Sequence, residues 1–123
     1  MIASHTFAHF DARRAPSPCY VVDEVALEHN LRILNRVQQE SGARILLALK
    51  AFSMFSLAPL ISRYLSGTCA SGLHEARLGA EEFGGELHAF SAAFSAPELE
   101  AILKLADHVV FNSFSQWQRF QPL

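Results

Sequence analysis

The 123-residue sequence predicts an α/β fold built from repeated parallel βα units. Three observations carry that expectation: four short apolar runs at nearly even spacing, a segment of helical period after each, and turn residues between them. The runs cover 43–49, 68–70, 87–90 and 108–111. Strand starts are expected at Arg44, Gly67, Glu86 and His108, with separations close to the minimum for a strand, a helix and two short connections.

Ahead of the repeat, residues 1–16 read as a leader. Ser17 to Asp23 reads as a turn feeding a short strand, with Asp23 placed to cap the next helix. From Glu24 to Glu40 the apolar positions Leu27, Leu31, Leu34 and Val37 recur at spacings of three and four, and Ser41-Gly42 closes an amphipathic helix. Inside the repeat, one helix is expected from Phe55 or Ser56 to Leu65 with Pro59 in its first turn, and another from Leu73 to the Gly84-Gly85 stop. Ser95-Ala96-Pro97-Glu98 offers a capping box with proline at the first helical position, and the fourth unit runs to about Phe120. The expected organisation is therefore a 1–16 leader, a strand and helix over 17–43, and four βα units over 44–123.

Four such units make half of a (β/α)8 barrel, whose usual length is about 250 residues, and a half barrel leaves two sheet edges and one strand face uncovered. A four-stranded open α/β sandwich has the same rhythm. The barrel reading implies that partners close the sheet or that the chain is a truncated form.

Composition narrows the function. The chain is 50% hydrophobic and 18% charged with net charge −2, the profile of a soluble globular protein, and its ten basic residues form no stripe that would suit nucleic acid. Cys19 and Cys69 lie in apolar surroundings without CxxC spacing, so neither a disulfide framework nor a zinc site is expected. Without a signal-like or membrane-length apolar run, the setting expected is the cytoplasm. His5 and His9 have i, i+4 spacing in a mixed leader where two histidines are ordinary, His74-Glu75 lacks the second histidine of HExxH, and His88 and His108 read as strand-end or core histidines, so no metal ligands are assigned. Cys69 reads as a small core residue, and Trp117 and Phe120 as core or interface anchors.

Lys50 is the residue that needs a reason. It ends the stretch Ile45-Leu46-Leu47-Ala48-Leu49-Lys50-Ala51-Phe52-Ser53, whose other members are uncharged, and the second lysine, Lys104, sits four residues after Glu100 where a surface ion pair would explain it. In parallel α/β folds ligands bind at the carboxyl ends of strands, where Lys50 is expected. Beside Leu47, Leu49 and Phe52 it would be partly desolvated, which favours a neutral amine able to form a Schiff base with a carbonyl such as that of pyridoxal phosphate. The ordinary alternative is a lysine that covers apolar surface with its stem and holds its ammonium in water.

Three further blocks bear on that choice: Ser17-Pro18-Cys19-Tyr20-Val21-Val22-Asp23, Ala70-Ser71-Gly72-Leu73-His74-Glu75-Ala76-Arg77-Leu78-Gly79, and Phe111-Asn112-Ser113-Phe114-Ser115-Gln116-Trp117. With the lysine block they resemble the carboxynorspermidine (carboxyspermidine) decarboxylases, of the alanine-racemase-like, fold-type III group that includes ornithine and diaminopimelate decarboxylases. The resemblance spans the chain from Pro18 onward. It implies the amino-terminal part of a (β/α)8 barrel, pyridoxal 5'-phosphate as cofactor, homodimers, and conversion of carboxynorspermidine or carboxyspermidine to the polyamine.

By resemblance, Lys50 is the lysine that holds the cofactor covalently and can return a proton to the decarboxylated carbon. Ser71 lies near the cofactor in relatives, and Glu75 supports that network. Thr68 stands where ornithine-decarboxylase relatives carry an aspartate. The family's stacking imidazole, glycine-rich phosphate loop, partner of the pyridine nitrogen and carboxy-terminal cysteine all come after the fourth strand, so the resemblance implies a truncated form. Another fold-type III decarboxylase, such as one for diaminopimelate, and a non-catalytic βα fragment are the remaining readings.

Overall fold

The computed structural model describes residues 10–123, so His5 and His9 lie outside the described residues. A 3-10 turn, Ala12–Arg14, precedes helix α1, Glu24–Ser41. Then come β1 (Leu46–Ala48), a 3-10 turn (Phe55–Leu57) leading into α2 (Ala58–Ile61), and β2 (Gly67–Ala70). Helix α3 (Leu73–Leu78) widens into a π turn (Gly79–Phe83) before β3 (Glu86–Ser91). The described residues end with α4 (Ala96–Ile102), β4 (His108–Phe111), α5 (Phe114–Phe120) and a short tail.

The four strands form one parallel sheet in the order β1-β2-β3-β4. Space keeps to sequence order without the reversal that a doubly wound sheet has at its switch point. The helices also share one face. Ala70, Leu87 and Ala89 pack with Ala76 of α3, Leu99 and Ile102 of α4 and Phe120 of α5, while Leu49 packs with Leu31 of α1, Ala58 and Ile61 of α2 and Phe83. Together the strand order and the single packed face select the half-barrel arrangement over the open sandwich.

Local chemistry explains most boundaries. Asp23 accepts a hydrogen bond from the Ala26 N–H at 2.9 Å, and Gly42, at φ +72°, ends α1 in the left-handed conformation that a side chain would resist. Gly79 is needed for closeness instead: a Cβ there would lie 2.6 Å from Thr68 Oγ1 and 2.9 Å from Leu87 Cδ1, so α3 could not rest on the sheet. Gln38, on the last turns of α1, is nearly buried and takes three partners from the starts of two strands. It donates to the Tyr64 carbonyl at 2.8 Å and accepts from the Ile45 N–H at 2.7 Å and Ser66 Oγ at 2.9 Å.

Some expectations change. Residues 17–23 form no strand among the described residues; Tyr20 is 95% exposed and Cys19 is exposed, because the edge of β1 has no partner there to turn an apolar run into a ladder. β1 begins at Leu46 rather than Arg44, whose guanidinium pairs with Glu86 instead. The expected capping box is half formed. Ser95 Oγ accepts from the Glu98 N–H at 3.4 Å, but the Glu98 carboxylate reaches away to the Leu73 N–H at 3.3 Å. Helix α4 stops at Ile102, and Lys104, beyond it, makes no ion pair with Glu100. No helix among the described residues is long and apolar enough to cross a membrane.

This packing sets two expectations for stability. Thr68 is buried and its hydroxyl lacks a hydrogen-bond partner, so Thr68→Val should raise the unfolding free energy by about 1 kcal/mol in urea titrations, where a satisfied hydroxyl would give a loss. The second concerns acid. Glu28 accepts from Tyr64 Oη at 2.5 Å and from Arg32 at 3.0 Å, and these bonds, Tyr64's first, hold its carboxyl below the usual 4.5. A lowered folded-state value stabilises above the unfolded value and is lost as pH falls through the folded one. Urea midpoints should therefore drop as pH falls below 4.5, and Glu28→Gln should flatten that slope.

Candidate active site

The face of the sheet opposite the helices is open, and the strand register arranges it in rows. Nearest the amino ends stand Leu46, Gly67 and Glu86; next come Ala48, Cys69, His88 and His108. Extending the register past the paired residues brings Lys50, Ser71, Phe90 and Val110 to one level at the carboxyl ends. That row holds an amine, a hydroxyl and two apolar side chains, with Phe90 40% and Val110 49% exposed.

Lys50 sits in the turn that leaves β1. The Leu49 N–H extends the ladder to the Cys69 carbonyl at 3.1 Å, and the Ala51 and Phe52 N–H groups close on the Ala48 carbonyl at 3.0 and 3.2 Å. Leu49 turns into the core while Lys50 is exposed, so the expected desolvation is not found: Leu47 and Leu49 pack with the helices, and no wall of described residues covers the amine. Its ammonium makes no hydrogen bond or ion pair among the described residues.

Ser71 and Glu75 come together. The Ser71 N–H donates to Glu75 Oε2 at 2.7 Å, so the carboxylate fastens the loop that carries the hydroxyl. Glu98 braces the same loop from the next unit through Leu73, and Gln116 ties the loop after β3 to the turn after β4 by donating to the Ala92 carbonyl at 3.2 Å. Sequence reasoning missed Glu98 and Gln116 as loop fasteners, since both bonds span more than twenty residues. Thr68 faces the helix layer, against Gly79, and so does not address the row of Lys50.

At the amino ends of the same face lie two groups expected from sequence to be ordinary strand-end histidines. The His88 and His108 rings are 4.4 Å apart, and His88 Nε2 is 3.3 Å from Glu86 Oε2. Burial first, then the neighbouring His108, holds His88 below the usual 6.5.

No protein-family model matches the chain. It is 44% identical over 104 residues to the carboxynorspermidine/carboxyspermidine decarboxylase of Herminiimonas arsenicoxydans, covering 85% of this chain and 28% of that protein. In structure it matches the carboxynorspermidine decarboxylase of Campylobacter jejuni, solved with norspermidine, at a TM-score of 0.84 and 38% identity over 88% of this chain and 29% of that one. The chain is similar to the amino-terminal portion of these decarboxylases. A carboxyaminopropylagmatine decarboxylase of Synechocystis is equally similar, at 45% over 106 residues, 86% of this chain and 27% of that protein. The chain thus spans under a third of the length of the decarboxylases it matches.

Proposed function

We propose that this chain contributes the cofactor-holding lysine and first four strands to pyridoxal 5'-phosphate-dependent decarboxylation of a carboxylated polyamine, with carboxynorspermidine or carboxyspermidine as substrate. The observation that carries the proposal is Lys50: an exposed, uncommitted amine at the carboxyl end of β1, level with Ser71 and two apolar side chains. The names of the relatives support the reaction class, and the match to a structure solved with norspermidine supports the substrate class.

The residues present fit this cofactor in part. A primary amine suits its aldehyde, and Phe90 and Val110 offer apolar surface to a flat ring, whereas the described residues supply no glycine-rich cradle for its phosphate. When bound, the cofactor supplies a conjugated ring that accepts the electron pair left as carbon dioxide departs. Lys50 would hold the aldehyde carbon through Nζ, with loss of water, and the same Nζ would return a proton afterwards. Ser71 is held at the rim by Glu75, and Phe90 and Val110 present exposed apolar surface beside it. Homodimerisation and a cytoplasmic setting belong to the same proposal; two sheet edges and a face left unpaired among the described residues support association with further protein.

Borohydride reduction of the full chain with pyridoxal phosphate, followed by peptide mass mapping, tests this. Both lysines are exposed, so simple accessibility would label them alike. Preferential modification of Lys50 is the expected result, and equal labelling of Lys50 and Lys104 would overturn the assignment.

A further inference from the structure

Glu86, His88 and His108 form a cluster at the end of the sheet face opposite Lys50. Register places His88 directly beside His108, and Glu86, two residues before His88 on β3, shares their face. One ligand atom from each residue lies within 4.8 Å of the other two. The side chains converge although β3 and β4 are joined only through α4.

The spacing of Glu86 and His88 suits a shared ion as well as a hydrogen bond. The Glu86–His88 approach at 3.3 Å is a long hydrogen bond, of the same length as that between Glu98 and Leu73. Two ligands each about 2.0–2.1 Å from a tetrahedral ion stand about 3.3–3.4 Å apart, which is the observed separation. His108 is exposed and makes no hydrogen bond among the described residues, so rotation of its side chain can bring a ring nitrogen inward. Arg44 pairs with the other oxygen of Glu86, Oε1, and leaves Oε2 turned to His88. Ligating carboxylates are commonly oriented by such an outer partner.

The geometry points to a divalent transition-metal site formed by Glu86, His88 and His108, in which the ion clamps the start of β4 to β3. Two imidazoles and one carboxylate suit zinc, or cobalt as its spectroscopic stand-in, rather than magnesium or calcium, which prefer all-oxygen sets. Three protein ligands leave a fourth position for water. The nearby Arg44 charge opposes the cation and lowers the affinity expected of the site.

The test is titration of the full chain with zinc by calorimetry and with cobalt by visible absorbance. Parallel titrations use His108→Ala, Glu86→Gln and a double variant in which His5 and His9 are both alanine. One ion per chain is expected, with the intense visible bands of a four-coordinate cobalt centre and a zinc-dependent rise in melting temperature. His108→Ala, at an exposed position, should weaken zinc by more than the roughly 10–100-fold that loss of an outer partner costs. Glu86→Gln should weaken it too, and the leader variant should leave it unchanged. Absence of binding at millimolar zinc, or binding abolished by the leader variant and kept by His108→Ala, would overturn the site.

Discussion

A Lys50→Arg chain is expected to take up no borohydride-fixed pyridoxal phosphate at position 50 while folding as the unaltered chain does. Arginine keeps the positive charge and much of the aliphatic stem, so any role of Lys50 in covering apolar surface or in attracting phosphate would survive. What it lacks is a primary amine that can condense with an aldehyde. Because Lys50 is exposed and makes no hydrogen bond or ion pair among the described residues, the unfolding free energy should shift by no more than about 0.5 kcal/mol. Retained adduct at another residue of the same loop would place the reactive amine elsewhere and remove the chemical role from Lys50.

Gln38→Ala is expected to cost about 3 kcal/mol. The substitution strips partners from the Tyr64 carbonyl, the Ile45 N–H and Ser66 Oγ together, and buried groups without partners carry most of the penalty. Gln38 joins the end of α1 to the residues just before β1 and β2, so its loss loosens the strands that present Lys50 and Ser71. Denaturant titration of the variant measures the effect. A loss below about 1 kcal/mol would mean that water replaces the side chain at little cost.

How far the sequence could be read depended on whether the deciding contact was local. The starts of β2, β3 and β4 were legible because Gly67, Glu86 and His108 each open an apolar run after a turn, and α1 because Asp23 and Gly42 mark its ends chemically. The run at 19–22 has the same composition as a strand, but a strand also needs a neighbour, and none reaches it among the described residues. Glu98 satisfied the pattern of a capping box and instead served Leu73, a choice between two donors that only packing makes. In the candidate site, the position of Lys50 at a strand end was legible and its exposure was not, since burial depends on what stands opposite the open face. The pairing of His88 with His108 required the register, although the shared face of Glu86 and His88 is implied by their spacing of two.

The sequential strand order also bears on how the fold is reached in time. Every strand lies beside the one made just before it, so each pairing closes a loop of only about twenty residues. A chain emerging from the ribosome can lay down β2 on β1, then β3, then β4, with no earlier strand held waiting for a distant mate. Growth of this kind always leaves its newest edge exposed until the next strand arrives. Chaperone capture during synthesis should therefore track that advancing edge.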